Sequence, residues 1–188
     1  MKQINSLYRN NFGIEVISGG MILPEQPVHI GATAAYIDSI YQNVESVTGV
    51  RFGSDYLWHI KNPQQSDWYP NSEKPAIALC IFKEYYPDQQ VLFASDMQYA
   101  LHYEGRDLCD DEAYRHLLEK YNIPVDDFNE KLYDEFYKAE AYAEFDLCKK
   151  LQVTGFPAVL IQENESKFHL IARGYTDFET LNNRLKKF

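Results

Sequence analysis

The spacing of apolar residues along the chain predicts a long helical block between two short α/β segments. Near the N-terminus it predicts a helix over residues 2–11 and, from a run of β-branched residues, a strand over residues 13–18. Apolar residues then recur at helical spacing from about residue 30 to residue 152. The last helix of this block is expected to start at Pro124 and to continue to Leu151.

The C-terminal part returns to strand-like patterning. Two apolar runs, residues 156–161 and 168–173, are separated by a polar turn and predict an antiparallel hairpin. Thr176 and Glu179 have the spacing of a capping box, which predicts the start of a final helix.

The distribution of these elements predicts an α/β fold interrupted by an insertion. Strands that occur only at the two ends of a chain are expected to pair in space. We therefore predict an α/β module made of residues 1–27 and 153–188, and an all-helical insertion domain made of residues 28–152.

Charge and targeting signals narrow the range of partners. The chain has 18 basic and 28 acidic residues, for a net charge of −10, so its surface is expected to repel phosphate backbones and anionic membranes. No stretch approaches the ~18 apolar residues of a membrane span. Residues 1–10 lack the hydrophobic run of a secretory signal, and the cytoplasm is the expected location.

The three cysteines are too far apart in the sequence for a C-x-x-C pair or a zinc site. Cys80 and Cys148 lie among apolar residues, and we interpret them as buried structural residues. Cys109 lies in an acidic turn, where we expect greater exposure and a disfavoured thiolate. No catalytic residue is assigned.

Two other polar features are interpreted as structural. The five histidines show no metal-ligand spacing, so no metal or cofactor is expected. The glutamate-rich stretch of residues 130–144 is interpreted as a solvated helix face.

The most informative stretch is the run from Thr154 to Pro157. A proline that begins a strand after a glycine and an aromatic residue is a candidate for a cis peptide bond. Such a bond exposes backbone groups to which an extended peptide or a cysteine-bearing substrate can pair by strand addition. An ordinary trans proline at the start of an edge strand is the alternative, because only ~5 % of X-Pro bonds are cis.

At this point the whole chain resembles the DsbA-like branch of the thioredoxin superfamily, in particular cytosolic DsbA-family proteins of the protein-disulfide isomerase type. Five stretches in this order carry the resemblance: Ile17–Met21, Thr48–Gly53, Asn71–Ala76, Val153–Pro157 and Ile171–Tyr175.

The resemblance implies a thioredoxin-like α/β fold with a helical insertion, thiol–disulfide oxidoreductase or isomerase activity, and a cis bond at Pro157. It also implies a protein or peptide thiol or disulfide as substrate, with glutathione as a further candidate, and it leaves a homodimer open. The substrate-facing loop would be Thr154, Gly155, Phe156 and Pro157, and a second wall would be Gly19, Gly20 and Met21.

The chain also departs from this family. Its members begin with a central β-strand and then place a C-x-x-C at the start of the first helix, where the helix N-terminus stabilises the thiolate. This sequence starts at Met1 within what resembles that helix. We therefore expect a shortened, redox-inactive member, or a second chain that supplies the strand. Direct pairing of residues 14–18 with residues 157–161 would contradict this expectation.

Two alternatives from other classes remain open at this point. Kappa-type glutathione transferases and hydroxychromene carboxylate isomerases share the interrupted layout, which allows a glutathione-dependent isomerase or transferase. A non-catalytic binding protein that has lost its redox chemistry is the second alternative.

Overall fold

The computed structural model describes residues 1–188, and most of the chain is helical. Short 3₁₀ turns at residues 63–65, 87–89 and 111–114 connect some of the helices. None of the helices combines the length and the apolar character needed to cross a bilayer. The helices are α1 (Lys2–Tyr8), α2 (Gly31–Thr48), α3 (Ser54–Lys61), α4 (Glu73–Tyr85), α5 (Gln90–His102), α6 (Arg115–Tyr121), α7 (Val125–Lys131), α8 (Glu135–Lys150) and α9 (Phe178–Leu185).

The sheet is a single antiparallel hairpin. Strand β1 (Ala158–Asn164) pairs with β2 (Lys167–Arg173), with Ala158 opposite Arg173 at the open end. The hairpin predicted from the two apolar runs is confirmed.

The two ends of the chain share a small apolar core. α1, β2 and α9 supply its buried residues, which are Ile4, Ile171, Ala172, Leu181 and Leu185. The hydroxyl of Tyr8 also donates a hydrogen bond to Asn182 Oδ1 at 2.7 Å. The N-terminal helix thus packs on the C-terminal elements, while the boundaries of the two modules stay a prediction.

A larger core fills the helical region. It is built from buried residues of α4 to α8, and the rings of Phe82 and Phe93 stack there with centroids 4.0 Å apart. The fully buried Tyr114 donates its hydroxyl to the Leu108 carbonyl at 2.6 Å, which leaves no unpaired polar atom on that ring. A third cluster joins α2 and α3 through Ile30, Ala34, Tyr56, Ile60 and Trp68.

The strand predicted for residues 13–18 is wrong. These residues have no regular secondary structure, and β1 pairs only with β2. A strand needs the backbone of a neighbouring strand as its hydrogen-bond partner. Here side chains take that role: Val16 N–H donates to Gln90 Oε1 at 2.6 Å, and Ser18 N–H donates to Glu144 Oε2 at 2.7 Å.

Two predicted helices also differ from the structure. α1 ends at Tyr8 instead of residue 11. The helix predicted from Pro124 to Leu151 is two helices, because the Asp134 carboxylate accepts a hydrogen bond from Phe136 N–H (2.8 Å) and caps a new helix.

The last helix is capped by a different residue from the one predicted. Asp177, not Thr176, occupies the cap position of α9, and its Oδ1 accepts a hydrogen bond from Thr180 N–H at 2.9 Å. Aspartate and threonine are both good capping residues, so adjacent candidates are not separated by the pattern alone.

Candidate functional site

The loop of residues 154–157 connects α8 to β1 and is anchored at both ends. On one side, Val153 N–H donates to the Cys148 carbonyl at 3.0 Å. On the other side, Gly174 N–H donates to the Pro157 carbonyl at 2.7 Å, which fixes the loop to the end of β2. These two bonds hold the loop in place without using the backbone groups between them.

The middle of this loop, residues 154–156, presents unpaired backbone donors. None of its three N–H groups has a hydrogen-bond partner within the protein. The Phe156–Pro157 peptide bond is cis, where the resemblance implied a cis bond. Phe156 is 38 % exposed as a residue, so part of an apolar residue lies at the surface beside the free N–H groups.

The second segment, residues 19–21, is anchored in the same manner. Before it, Ser18 N–H donates to the Glu144 carboxylate. After it, Ile22 N–H donates to Ser72 Oγ at 3.1 Å, and Ser72 N–H donates to the Ile22 carbonyl at 2.7 Å. The N–H groups of residues 19–21 have no partner within the protein.

The two segments meet where the Phe156 ring lies against Gly19. A Cβ atom placed on Gly19 would overlap the ring carbons of Phe156, so this contact requires a glycine. Gly20 is required for a different reason: its φ is +60°, and a Cβ there would lie 2.6 Å from Cγ of the buried Phe145. Met21 is largely exposed. The structure therefore brings the predicted loop and the predicted second wall together through Gly19 and Phe156.

Glu144 fixes the position of residues 19–21 and was missed by the sequence analysis. Within the 130–144 stretch interpreted as solvated, its side chain is only 12 % exposed and forms a salt bridge with Lys83. Glu144 lies one helical turn from the buried residues Ala141 and Cys148, a spacing that placed it on the inner face of α8.

Arg173 also lies against the loop and was not among the predicted site residues. Its guanidinium donates to Thr154 Oγ1 at 3.0 Å. Its aliphatic stem runs past Gly155, where a Cβ atom would come within 3.5 Å of Arg173 Cγ and Cδ. The only sequence signal was its position in the stretch Ile171–Tyr175.

None of the three thiols is activated. Burial, the larger effect, and the nearby Glu144 carboxylate raise the pKa of Cys80 to about 12. The same two causes raise the pKa of Cys148. Burial raises the pKa of Cys109 to about 11. Cys148 is buried as expected, whereas Cys80 is only partly buried, as is Cys109. The thiolate that nucleophilic attack requires is therefore scarce at neutral pH.

The structure contains no group of three or more histidine, cysteine, aspartate or glutamate side chains arranged to hold a metal ion. The candidate site is thus a surface of backbone donors, one exposed ring and one arginine.

Comparison with known proteins places the fold. No family model and no curated protein matches the sequence. The chain superposes on a presumed protein disulfide isomerase from Nitrosomonas europaea with a TM-score of 0.84 and 19 % identity, over 99 % of this chain and 86 % of that protein.

It is also similar to the cytosolic disulfide reductase DsbM from Pseudomonas aeruginosa, with a TM-score of 0.64 and 19 % identity, over 90 % of this chain and 80 % of that protein. A structure of DsbM with GSH gives a TM-score of 0.65 at the same identity. These similarities confirm the prediction from the sequence: the chain has the thioredoxin-like fold of DsbA-type proteins.

Proposed function

We propose that this chain is a DsbA-like thiol–disulfide oxidoreductase module whose residues 19–21 and 154–157 bind an extended thiol- or disulfide-bearing peptide. One observation carries the proposal. Two segments, each anchored at both ends, meet at the contact of Phe156 with Gly19 and leave six backbone N–H groups unpaired.

The chemistry of such a surface suits a peptide backbone. Unpaired backbone N–H groups can donate main-chain hydrogen bonds to an added strand, with little dependence on side chains. Gly155 has no side chain to obstruct a second backbone, whereas the space beside Gly19 is filled by the Phe156 ring. The exposed Phe156 ring provides apolar contact beside the hydrogen bonds.

The names of the similar structures support this class of substrate. The named proteins are a presumed protein disulfide isomerase and a cytosolic disulfide reductase, and a structure of the reductase was determined with GSH. We therefore include glutathione among the proposed ligands, and favour this function over a kappa-type transferase. The name of the Pseudomonas protein also supports a cytosolic location as part of the proposal.

The exchange step itself is not assigned to any residue of this chain. Thiol–disulfide exchange begins with attack by a thiolate, and burial disfavours that form at Cys80, Cys109 and Cys148. We propose that these 188 residues bind the substrate without exchanging disulfides on their own.

Binding is tested by calorimetric titration with S-methylglutathione, whose blocked sulfur cannot exchange. Phe156→Ala is expected to weaken binding by about tenfold or more, roughly 1.4 kcal/mol. Phe136→Ala is the matched control, because Phe136 is also exposed, at 62 %, but lies at the start of α8. Equal affinity of wild type and Phe156→Ala would refute the assigned loop.

The absence of exchange is tested by insulin reduction in the presence of dithiothreitol. We expect the chain to leave the rate of insulin precipitation at the uncatalysed value. A rate increase that disappears when the three cysteines are replaced by serine would show that one of these thiols is catalytic after all.

A further inference from the structure

Arg173 has no acidic partner. It is the last residue of β2, and its only side-chain hydrogen bond is the one to the Thr154 hydroxyl. In this chain, with 28 acidic and 18 basic residues, most lysines and half of the arginines do have a carboxylate within salt-bridge distance. A guanidinium carries five N–H donors, so most of those on Arg173 are free.

The other arginines show how this chain normally uses the residue. Arg184 donates to the Ile171 carbonyl at 2.7 Å. Arg9 is exposed and forms neither a salt bridge nor a side-chain hydrogen bond. The remaining three each form a salt bridge with a glutamate, in the pairs Arg51–Glu45, Arg106–Glu104 and Arg115–Glu112.

The free donors of Arg173 lie beside the proposed site. The hydrogen bond to Thr154 Oγ1 holds the guanidinium at the first residue of the loop, next to the unpaired N–H groups of residues 154–156. The bond from Gly174 N–H to the Pro157 carbonyl fixes the end of β2 to the same loop. Charged and neutral donors therefore lie close together at this loop, and donors of both kinds are used to bind anions.

We infer that Arg173 binds a carboxylate of the substrate, so that the site selects thiol peptides with a carboxylate close to the sulfur-bearing residue. The planar guanidinium matches a carboxylate with two parallel hydrogen bonds, which a lysine cannot reproduce. Glutathione and an acidic residue of a protein substrate both supply this group. The inference rests on the proposed function, because it assumes that the peptide lies on residues 154–157.

The test compares ligands with and without the carboxylates. Wild type is titrated with S-methylglutathione and with its diester, and with two capped cysteine peptides that differ only in glutamate or glutamine beside the cysteine. We expect wild type to prefer the free acid over the diester by about three- to tenfold. Arg173→Gln is expected to lose this preference, and Arg173→Lys to keep part of it.

Arg9→Gln is the matched control, because it removes the same charge from an exposed arginine outside the site. It is expected to retain the full preference. Circular dichroism of each variant checks that the fold is intact. If wild type prefers the free acid of S-methylglutathione over its diester but does not distinguish the two peptides, the carboxylate that Arg173 binds is that of glutathione. If wild type distinguishes only the two peptides, the carboxylate belongs to an acidic protein segment.

The remaining outcomes contradict the inference in distinguishable ways. If wild type binds the free acid and the diester equally and also does not distinguish the two peptides, Arg173 does not bind a carboxylate, although the loop still binds peptides. If Arg173→Gln weakens both ligands equally, the residue only supports the loop through Thr154. If wild type binds none of the four ligands, the inference and the proposed function both fail.

Discussion

Replacing Gly20 with alanine tests whether residues 19–21 are held in place by close packing. The alanine would keep a φ of +60°, which costs about 1–2 kcal/mol for a residue with a Cβ. Its Cβ would also lie 2.6 Å from Cγ of Phe145, a buried ring that cannot move into solvent. Overpacking of this kind costs about 1–3 kcal/mol. We expect Gly20→Ala to lower the free energy of unfolding by about 2–5 kcal/mol.

The magnitude is measured by urea unfolding followed by circular dichroism, with two glycine controls. Gly49→Ala has the same kind of backbone, with φ at +73°, but no atom within 4 Å, so it reports the backbone cost alone. Gly13→Ala has neither feature and is expected to be neutral or stabilising by up to about 1 kcal/mol. For a chain of this length, Gly20→Ala corresponds to a melting temperature lower by about 4–20 °C.

If Gly20→Ala destabilises the protein no more than Gly49→Ala does, the contact with Phe145 adds nothing. Residues 19–21 would then not be positioned by α8, and the geometry assigned to the site would be wrong.

Three further predictions concern the surroundings of the site. Glu144→Gln is expected to destabilise the protein by about 1–3 kcal/mol, because it leaves the Lys83 ammonium without its closest carboxylate. Asp146→Asn, on the exposed face of α8, should change stability by less than about 0.5 kcal/mol. Equal effects of the two variants in urea unfolding would contradict this prediction. Cys80 holds its proton more tightly in the folded state, so its contribution to stability is complete below pH 9 and is lost as pH rises towards about 12. Subtracting the pH profile of the unfolding free energy of Cys80→Ala from that of wild type isolates this contribution. A difference that does not change with pH would refute the prediction. Asp177→Ala should lower the melting temperature while Asp177→Asn, which retains the capping oxygen, should not, and similar losses in both would show that the cap is not what stabilises α9.

The local patterns in the sequence predicted the hairpin and the loop before it. Apolar runs on both sides of a polar turn define β1 and β2, because strand pairing across a short turn is a local interaction. The Gly155-Phe156-Pro157 run marked the loop for the same reason. Only the resemblance to the DsbA-like family indicated that residues 19–21 lie opposite that loop. The contact of Phe156 with Gly19 is consistent with that indication.

Other features could not be predicted because they depend on long-range contacts. Residues 13–18 have the composition of a strand, but their partners are the side chains of Gln90 and Glu144, which are distant in sequence. Glu144 lies in the glutamate-rich stretch of residues 130–144, and nothing in the composition of that stretch separates it from the solvated glutamates. The environment of Arg173 depends on Thr154, which the pairing of β1 with β2 brings next to it at the open end of the hairpin.

An apolar cleft between α1 and the C-terminus offers a rival location for a ligand. It is lined by Leu7, Tyr8, Phe12, Leu185 and Phe188, among others, and lies apart from the loop of residues 154–157. It lacks the unpaired N–H groups of residues 19–21 and 154–156, so we do not expect a peptide to bind there by strand addition.

The most direct test of peptide binding at the proposed site is a titration of the ¹⁵N-labelled chain with S-methylglutathione, followed by amide chemical shifts. We predict saturable shifts at the amides of residues 19–21 and 154–156, because these N–H groups are the ones left free for the ligand. Shifts at Leu7 and Phe188 with none at these six amides, or no shifts at millimolar ligand, would contradict the proposed site.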